Sequence, residues 1–120
     1  MANEHVLEEL WAAVQSRRDG DTPCYAAELL QSPFNLRQKF IQEAYEVLEA
    51  QQARLARFET DTVEAPGAGG FGTKLHLTAE AGDLLVHLYV LLASIDVTPD
   101  EVHALMARRF KKWFDPPAAG

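Results

Sequence analysis

Apolar residues recur at the three- and four-residue spacing of amphipathic helices in five separate stretches of the chain. In the first, Val6, Leu7, Leu10, Trp11 and Val14 form an inward face. Asn3 can cap its start, and Asp19-Gly20-Asp21 ends it after about Arg18. Thr22-Pro23 and Ser32-Pro33 each read as an N-cap followed by proline at the first helical position, where its missing N–H has no partner to lose. They open a short helix to about Gln31 and a long one to about Thr60, the latter with Leu36, Phe40, Ile41, Ala44, Val47, Leu48 and Leu55 on its apolar arc. Thr73 starts a fourth helix that ends near Ile95. Thr98-Pro99-Asp100-Glu101 is a capping box with proline inside it and opens a fifth helix to about Phe114. The expected fold is all-α: one domain over residues 3–114, a bundle of about five helices built on a long antiparallel hairpin. A Gly-rich insertion at about 61–73 lies between the arms of that hairpin, with a composition that favours disorder, and 115–120 reads as a disordered tail.

The fourth helix changes the picture of how the bundle is completed. From Leu75 to Ile95 it is apolar or small almost all round, and such a helix must be covered on several sides. A chain of 120 residues has little else to cover it with. A second copy is the expected cover, so the chain is expected to form a homodimer or a higher homo-oligomer. The uninterrupted apolar stretch falls short of the ~18 residues of a membrane span and contains Asp83 and His87, so no membrane association is expected. The beginning of the chain has no secretory-signal pattern.

Inside that greasy run, Glu80, Asp83, His87 and Ser94 share one narrow stripe at about 100° per residue. The long helix offers a matching edge. Glu43 and Glu46 stand three residues apart, with Lys39 one turn before Glu43 on the same side. When the two helices pair, four carboxylates can converge. Two like charges ~5 Å apart repel by roughly 3 kcal/mol at an effective dielectric of 20, so the quartet needs a counter-charge or takes up protons. Mg2+ meets that need, because it favours carboxylate oxygens together with substrate phosphates.

Glu43, Glu46, Glu80 and Asp83 are therefore the expected metal ligands and catalytic groups. Lys39 is the first candidate for a phosphate contact. Arg37, Arg108, Arg109 and Lys112 are weaker candidates, acting across a subunit interface. His87 either binds a ligand phosphate or hydrogen-bonds Asp83 to orient it, the second being preferred. His76, one turn before Glu80, falls at the rim of the site. The competing explanation, a solvated helix edge, suits Glu43 and Glu46 taken alone better than it suits Asp83 and His87 within the apolar run.

Charge and cysteine usage narrow the function further. With 18 Asp and Glu against 11 Lys and Arg, the formal charge is −7, the wrong sign for a partner that is a nucleic-acid polymer. The one dense basic run, Arg108-Arg109-Phe110-Lys111-Lys112-Trp113, ends the last helix, where cations also complement the helix dipole. A single cysteine, Cys24, excludes an intramolecular disulfide and fits a reducing cytoplasm. Following Pro23, with no histidine near it in sequence, it reads as a packing residue rather than a nucleophile.

At these positions the chain resembles a known family. Glu43-x-x-Glu46 followed by Glu80-x-x-Asp83 is similar to the paired acidic motifs of the all-α nucleotide pyrophosphohydrolases, the MazG-like superfamily. Tyr25 through Leu30, Gln38 through Val47 and Glu80 through Leu92 resemble most closely the phosphoribosyl-ATP pyrophosphohydrolases of histidine biosynthesis, over about Val6 to Phe110. The resemblance implies Mg-dependent hydrolysis between the α and β phosphates, converting phosphoribosyl-ATP into phosphoribosyl-AMP and pyrophosphate. A MazG-like house-cleaning enzyme acting on free or non-canonical nucleoside triphosphates is the first alternative, and a non-catalytic helical assembly module the second. The chain departs from the family pattern at Gln42, where a second glutamate is usual, and at Glu28, where a lysine is usual. It also departs in the 33 residues that separate Glu46 from Glu80.

Overall fold

The computed structural model describes residues 5–57, 61–64 and 70–117. Among them are five helices: α1 (Val6–Asp19), α2 (Tyr25–Leu30), α3 (Pro33–Leu55), α4 (Lys74–Ser94) and α5 (Pro99–Phe114). The all-α expectation holds. Asn3, the expected first cap, lies outside the described residues, as do 118–120 of the tail.

Local chemistry accounts for most of the helix starts. Thr73 Oγ1 accepts the His76 N–H at the head of α4, and Thr98 and Glu101 complete both halves of the capping box that opens α5. Two boundaries differ from the sequence reading. The cap of α2 is Cys24, not Thr22: its sulfur accepts the Ala27 N–H at 3.4 Å, so this thiol is a helix cap rather than simple packing. α3 ends at Leu55, with Ala56 as its C-cap, and stops short of Thr60.

That earlier end matters for alignment. Glu46 lies nine residues, ~13 Å, before Leu55, and Glu80 six residues, ~9 Å, after Lys74. The arms of the α3–α4 hairpin are nearly equal, so its acidic pairs fall level without strain.

The core sits where α1 and α2 close over the α3–α4 hairpin. Val14, Leu29, Leu36, Tyr89, Val90 and Ala93 are buried together, with Leu10, Trp11 and Leu30 packed against them. Trp11 meets Tyr89 edge to face, ring centroids 6.0 Å apart. Arg18 fastens the end of α1 to the end of α4, donating to the Ala93 carbonyl at 3.2 Å and to Asp96 at 3.3 Å. There α4 stops in a Schellman motif: Val97 N–H returns to Leu92 and Asp96 N–H to Ala93, with Asp96 at φ 58° where glycine is usual.

Two features depart from the expected interior. Ile41, Tyr45, Leu48 and Leu55 line an exposed stripe of α3, although three of the four had been read as part of the inward arc. α5 makes only sparse contacts with the other helices and leaves Leu105, Met106, Phe110 and Trp113 in solvent. The chain accordingly has a radius of gyration of 17.5 Å, against roughly 13.5 Å for a compact domain of this length. α4 is long and apolar enough by composition to cross a bilayer, yet it is the central helix of the fold, packed on α3, α1 and α2.

The described ends of the insertion are ordered by specific contacts, contrary to the disorder that composition suggests. The buried carboxylate of Asp61 accepts the Lys74 N–H at 2.7 Å, at the unpaired start of α4, and pairs with Arg54 near the end of α3. At the other end, Arg57 donates to the Phe71 carbonyl at 3.0 Å, and Thr73 Oγ1 donates to Gly70 at 2.8 Å. Gly72 has φ +80°, and a Cβ there would meet the Ala53 backbone at 2.9 Å.

Two outcomes follow for stability. Gly72→Ala is expected to lower stability by about 1 kcal/mol or more, read as a fall in the urea midpoint. The Lys74 N–H, then Arg54, hold the Asp61 carboxyl below its ordinary value of 3.8. Its contribution is thus complete above that value and fades as pH falls through the lowered one. Asp61→Asn should depress the melting temperature at neutral pH, by an amount that shrinks steadily in acid.

Candidate active site

Glu43 and Glu46 come from the middle of α3 and Glu80 from the first half of α4. One carboxylate oxygen from each lies within 4.8 Å of the others. Glu43 is buried; Glu46 and Glu80 are half-buried. Glu43 Oε2 and Glu80 Oε2 are shut off from solvent and find no hydrogen-bond partner among the described residues. Orphaned buried oxygens are unfavourable. Two such oxygens on carboxylates of one trio suit a hard divalent cation.

Electrostatics divides the trio. Burial first, then the charge of Glu46, pushes both Glu43 and Glu80 above the ordinary 4.5. Glu46 moves down, chiefly because Gln42 Nε2 donates to its Oε1 at 3.0 Å. Lys39 Nζ in turn donates to Gln42 Oε1 at 3.4 Å. Gln42 therefore links the lysine to the trio at the position where the family usually places another acid.

Behind Glu43 stands His87, buried, with both ring nitrogens engaged. The Asp83 backbone carbonyl can only accept, so His87 Nδ1 carries a proton and donates it at 2.7 Å. Nε2 then accepts from the Tyr25 hydroxyl, also at 2.7 Å, and lies 3.9 Å from Glu43 Oε1. The expectation that His87 orients the Asp83 side chain is corrected: it grips that residue's main chain, and neither nitrogen is open to a phosphate. Asp83 itself is exposed and outside the trio, but its charge still raises Glu43, Glu80 and Tyr25.

Tyr25 had not been singled out. Burial, then Glu43 and Asp83, push its hydroxyl up, and it lines a cleft of ≈ 600 Å³ with Glu28, Asn35, Lys39, Gln42 and Tyr45. Its only trace in the sequence is its place at the head of the first stretch that carries the resemblance.

His76 stands at the rim, as its spacing suggested. Its Nδ1 accepts the Gly72 N–H at 3.1 Å, which leaves Nε2–H facing Glu80 Oε1 at 3.5 Å. Arg37, Arg108 and Arg109 are exposed, and none is among the main charges acting on the trio. The single chain does not bring them to the carboxylates.

A helical hairpin with three carboxylates at its seam is an all-α arrangement able to hold a divalent cation. The family model for phosphoribosyl-ATP pyrophosphohydrolase matches residues 6–110, so this chain belongs to that family. Among its relatives is a phosphoribosyl-ATP pyrophosphatase of Rhodospirillum rubrum, 36% identical over 88% of this chain and 76% of the relative. One of Cereibacter sphaeroides is 36% identical over 87% of this chain and 85% of the relative. One of Trichlorobacter lovleyi is 34% identical over 91% and 86%. No solved structure matches significantly.

The raised carboxyls carry a testable sign. The folded, metal-free chain binds protons at Glu43 and Glu80 more tightly than the unfolded chain, so its stability falls as pH rises from 4.5 through the raised values. Calorimetry without metal should find Glu80→Gln melting above wild type at neutral pH, with the gap closing below the ordinary carboxylate range, where Glu80 is protonated anyway.

Proposed function

We propose that this chain hydrolyses phosphoribosyl-ATP to phosphoribosyl-AMP and pyrophosphate, with Glu43, Glu46 and Glu80 holding Mg2+ and Asp83 as the fourth acid of the site. The observation that carries the reading is the pair of orphaned, buried oxygens on Glu43 and Glu80, set within a trio already short of counter-charge. Family membership supports the substrate.

Bound there, Mg2+ would neutralise the polyphosphate and stabilise charge as it develops in the transition state. The chain's own residues do the rest. Lys39, held beside the trio through Gln42, meets the phosphate oxygens. Water attacks the α-phosphorus, the bond to the bridging oxygen breaks, and pyrophosphate leaves. Glu43 and Glu80, both with raised proton affinity, are suited to receive the proton that water gives up. His87, bonded to Tyr25, stands behind Glu43 without engaging substrate.

The reading includes a second copy. The exposed stripe of Ile41, Tyr45 and Leu48 on α3, with Leu85 and Val86 on α4, supports a homo-oligomer. Arg37, Arg108 and Arg109 contribute to phosphate binding only from such a partner.

Turnover of a substrate panel decides the matter. Phosphoribosyl-ATP is expected to be cleaved in a Mg2+-dependent manner, with Glu46→Gln and Glu80→Gln each lowering kcat by about a hundredfold or more. Preference for dUTP or another free triphosphate would overturn the substrate, and Mg2+ binding unchanged in both variants would overturn the site.

A further inference from the structure

The segment around Phe71 is held at several backbone groups, yet its ring is left in water. Arg57 holds the Phe71 carbonyl, His76 receives the next N–H, and Gly72 lies against Ala53 too closely for any side chain. The ring rests on His76, centroids 4.9 Å apart, and remains 61% exposed. An anchored loop ordinarily turns its aromatic residue inward, because burial is what the aromatic gains. Here the anchoring presents it.

What it faces is a pair of adjoining hollows. One is a crevice of ≈ 80 Å³ bounded by Glu46, His76, Glu80 and Phe71, continuous with the acidic trio. The other, ≈ 310 Å³, is bounded by Glu49, Gln52, Ala53, Ala56 and Phe71. Small alanine side chains leave room on its α3 side, and the aromatic ring forms its wall.

We propose that this second hollow receives the base of the nucleotide, with Phe71 as its stacking partner. The inference rests on the reading that the trio handles the phosphates. Three features of the structure favour it.

The first is reach. Ala53 lies seven residues, ~10 Å, beyond Glu46 along α3, a distance that an intervening ribose and phosphate can span. The second is composition. The described residues that bound the hollow offer an aromatic face and two small side chains, which suit a flat ring. Glu49 and Gln52 also offer acceptors for an exocyclic amino group. The third is polarity. The cleft nearer the start of α3 holds Lys39, Asn35 and Gln42 alongside Glu28, and its lysine supplies a cation for phosphate oxygens. The nucleotide thus lies along α3, with its β and γ phosphates toward Lys39 and its base toward Ala53.

The test compares two ligands, each titrated calorimetrically with Mg2+ present: α,β-methylene-ATP, which carries a base, and inorganic tripolyphosphate, which does not. Phe71→Ala is expected to weaken the nucleotide roughly tenfold and to leave tripolyphosphate unchanged. Phe71→Trp should retain nucleotide affinity, and Ala56→Trp, which fills the hollow from the α3 side and leaves the loop's own residues unchanged, should reproduce the loss. Should Phe71→Ala fail to fold, the Ala56→Trp variant gives the same reading.

Unchanged nucleotide affinity in both variants overturns the base site, as does an equal loss for both ligands. It is likewise overturned if Tyr45→Ala, rather than Phe71→Ala, produces the nucleotide-selective loss, or if Phe71→Ala only splits an oligomer on gel filtration. A wild-type protein that binds neither ligand overturns the reading of the trio itself, a result distinct from all of these.

Discussion

Three carboxylates held within 4.8 Å across the seam of two helices are the constraint around which this fold is arranged. Like charges at that range repel by roughly 3 kcal/mol per pair at an effective dielectric of 20, a sizeable share of the stability of a small domain. The hairpin tolerates them because its other contacts are local and strong: a capped start to α4, a Schellman stop at its end, and a packed cluster under α1 and α2. Gln42 relieves part of the repulsion by bonding Glu46, while Glu43 and Glu80 are left with a raised affinity for protons. The apo site is a fold held in tension by its own function, as binding sites commonly are.

Much of the architecture was legible in the sequence because it is local. Pro33, Thr73, Thr98 and Glu101 each start a helix through contacts no more than a few residues away, and the structure shows those helices where they were read. The i, i+3 acids were legible for the same reason. What periodicity cannot give is which face meets a partner within the same chain. Ile41, Leu48 and Leu55 share the helical repeat of buried residues, yet they face outward. Tyr25 was overlooked because its partner, His87, is 62 residues away. His87 itself was noticed as a polar residue in an apolar run, but its hydrogen bond goes to a backbone carbonyl, which side-chain patterning does not reveal.

The expected disorder of the insertion centres on 65–69, which lie outside the described residues, but its two ends are held by a few specific contacts. Its glycines suggest a loose tether, yet the described ends are fastened by Asp61, Arg57, Thr73 and the close approach of Gly72 to Ala53. Glycine at position 72 serves proximity rather than mobility. The same contacts carry His76 and Phe71 to the edge of the trio, so the added length between the two acidic motifs is joined to the site rather than set apart from it.

The tie between Arg18 and the end of α4 bears on how the chain matures. Its partners, Ala93 and Asp96, follow it by 75 and 78 positions. The end of α1 therefore reaches its final position only when the end of α4 is in place. Before that, α2 offers the apolar face of α1 only part of its native surface, because Trp11 rests on Tyr89 of α4. Closure of this domain consequently depends on a contact of long sequence separation, which forms more slowly than the local caps that start its helices.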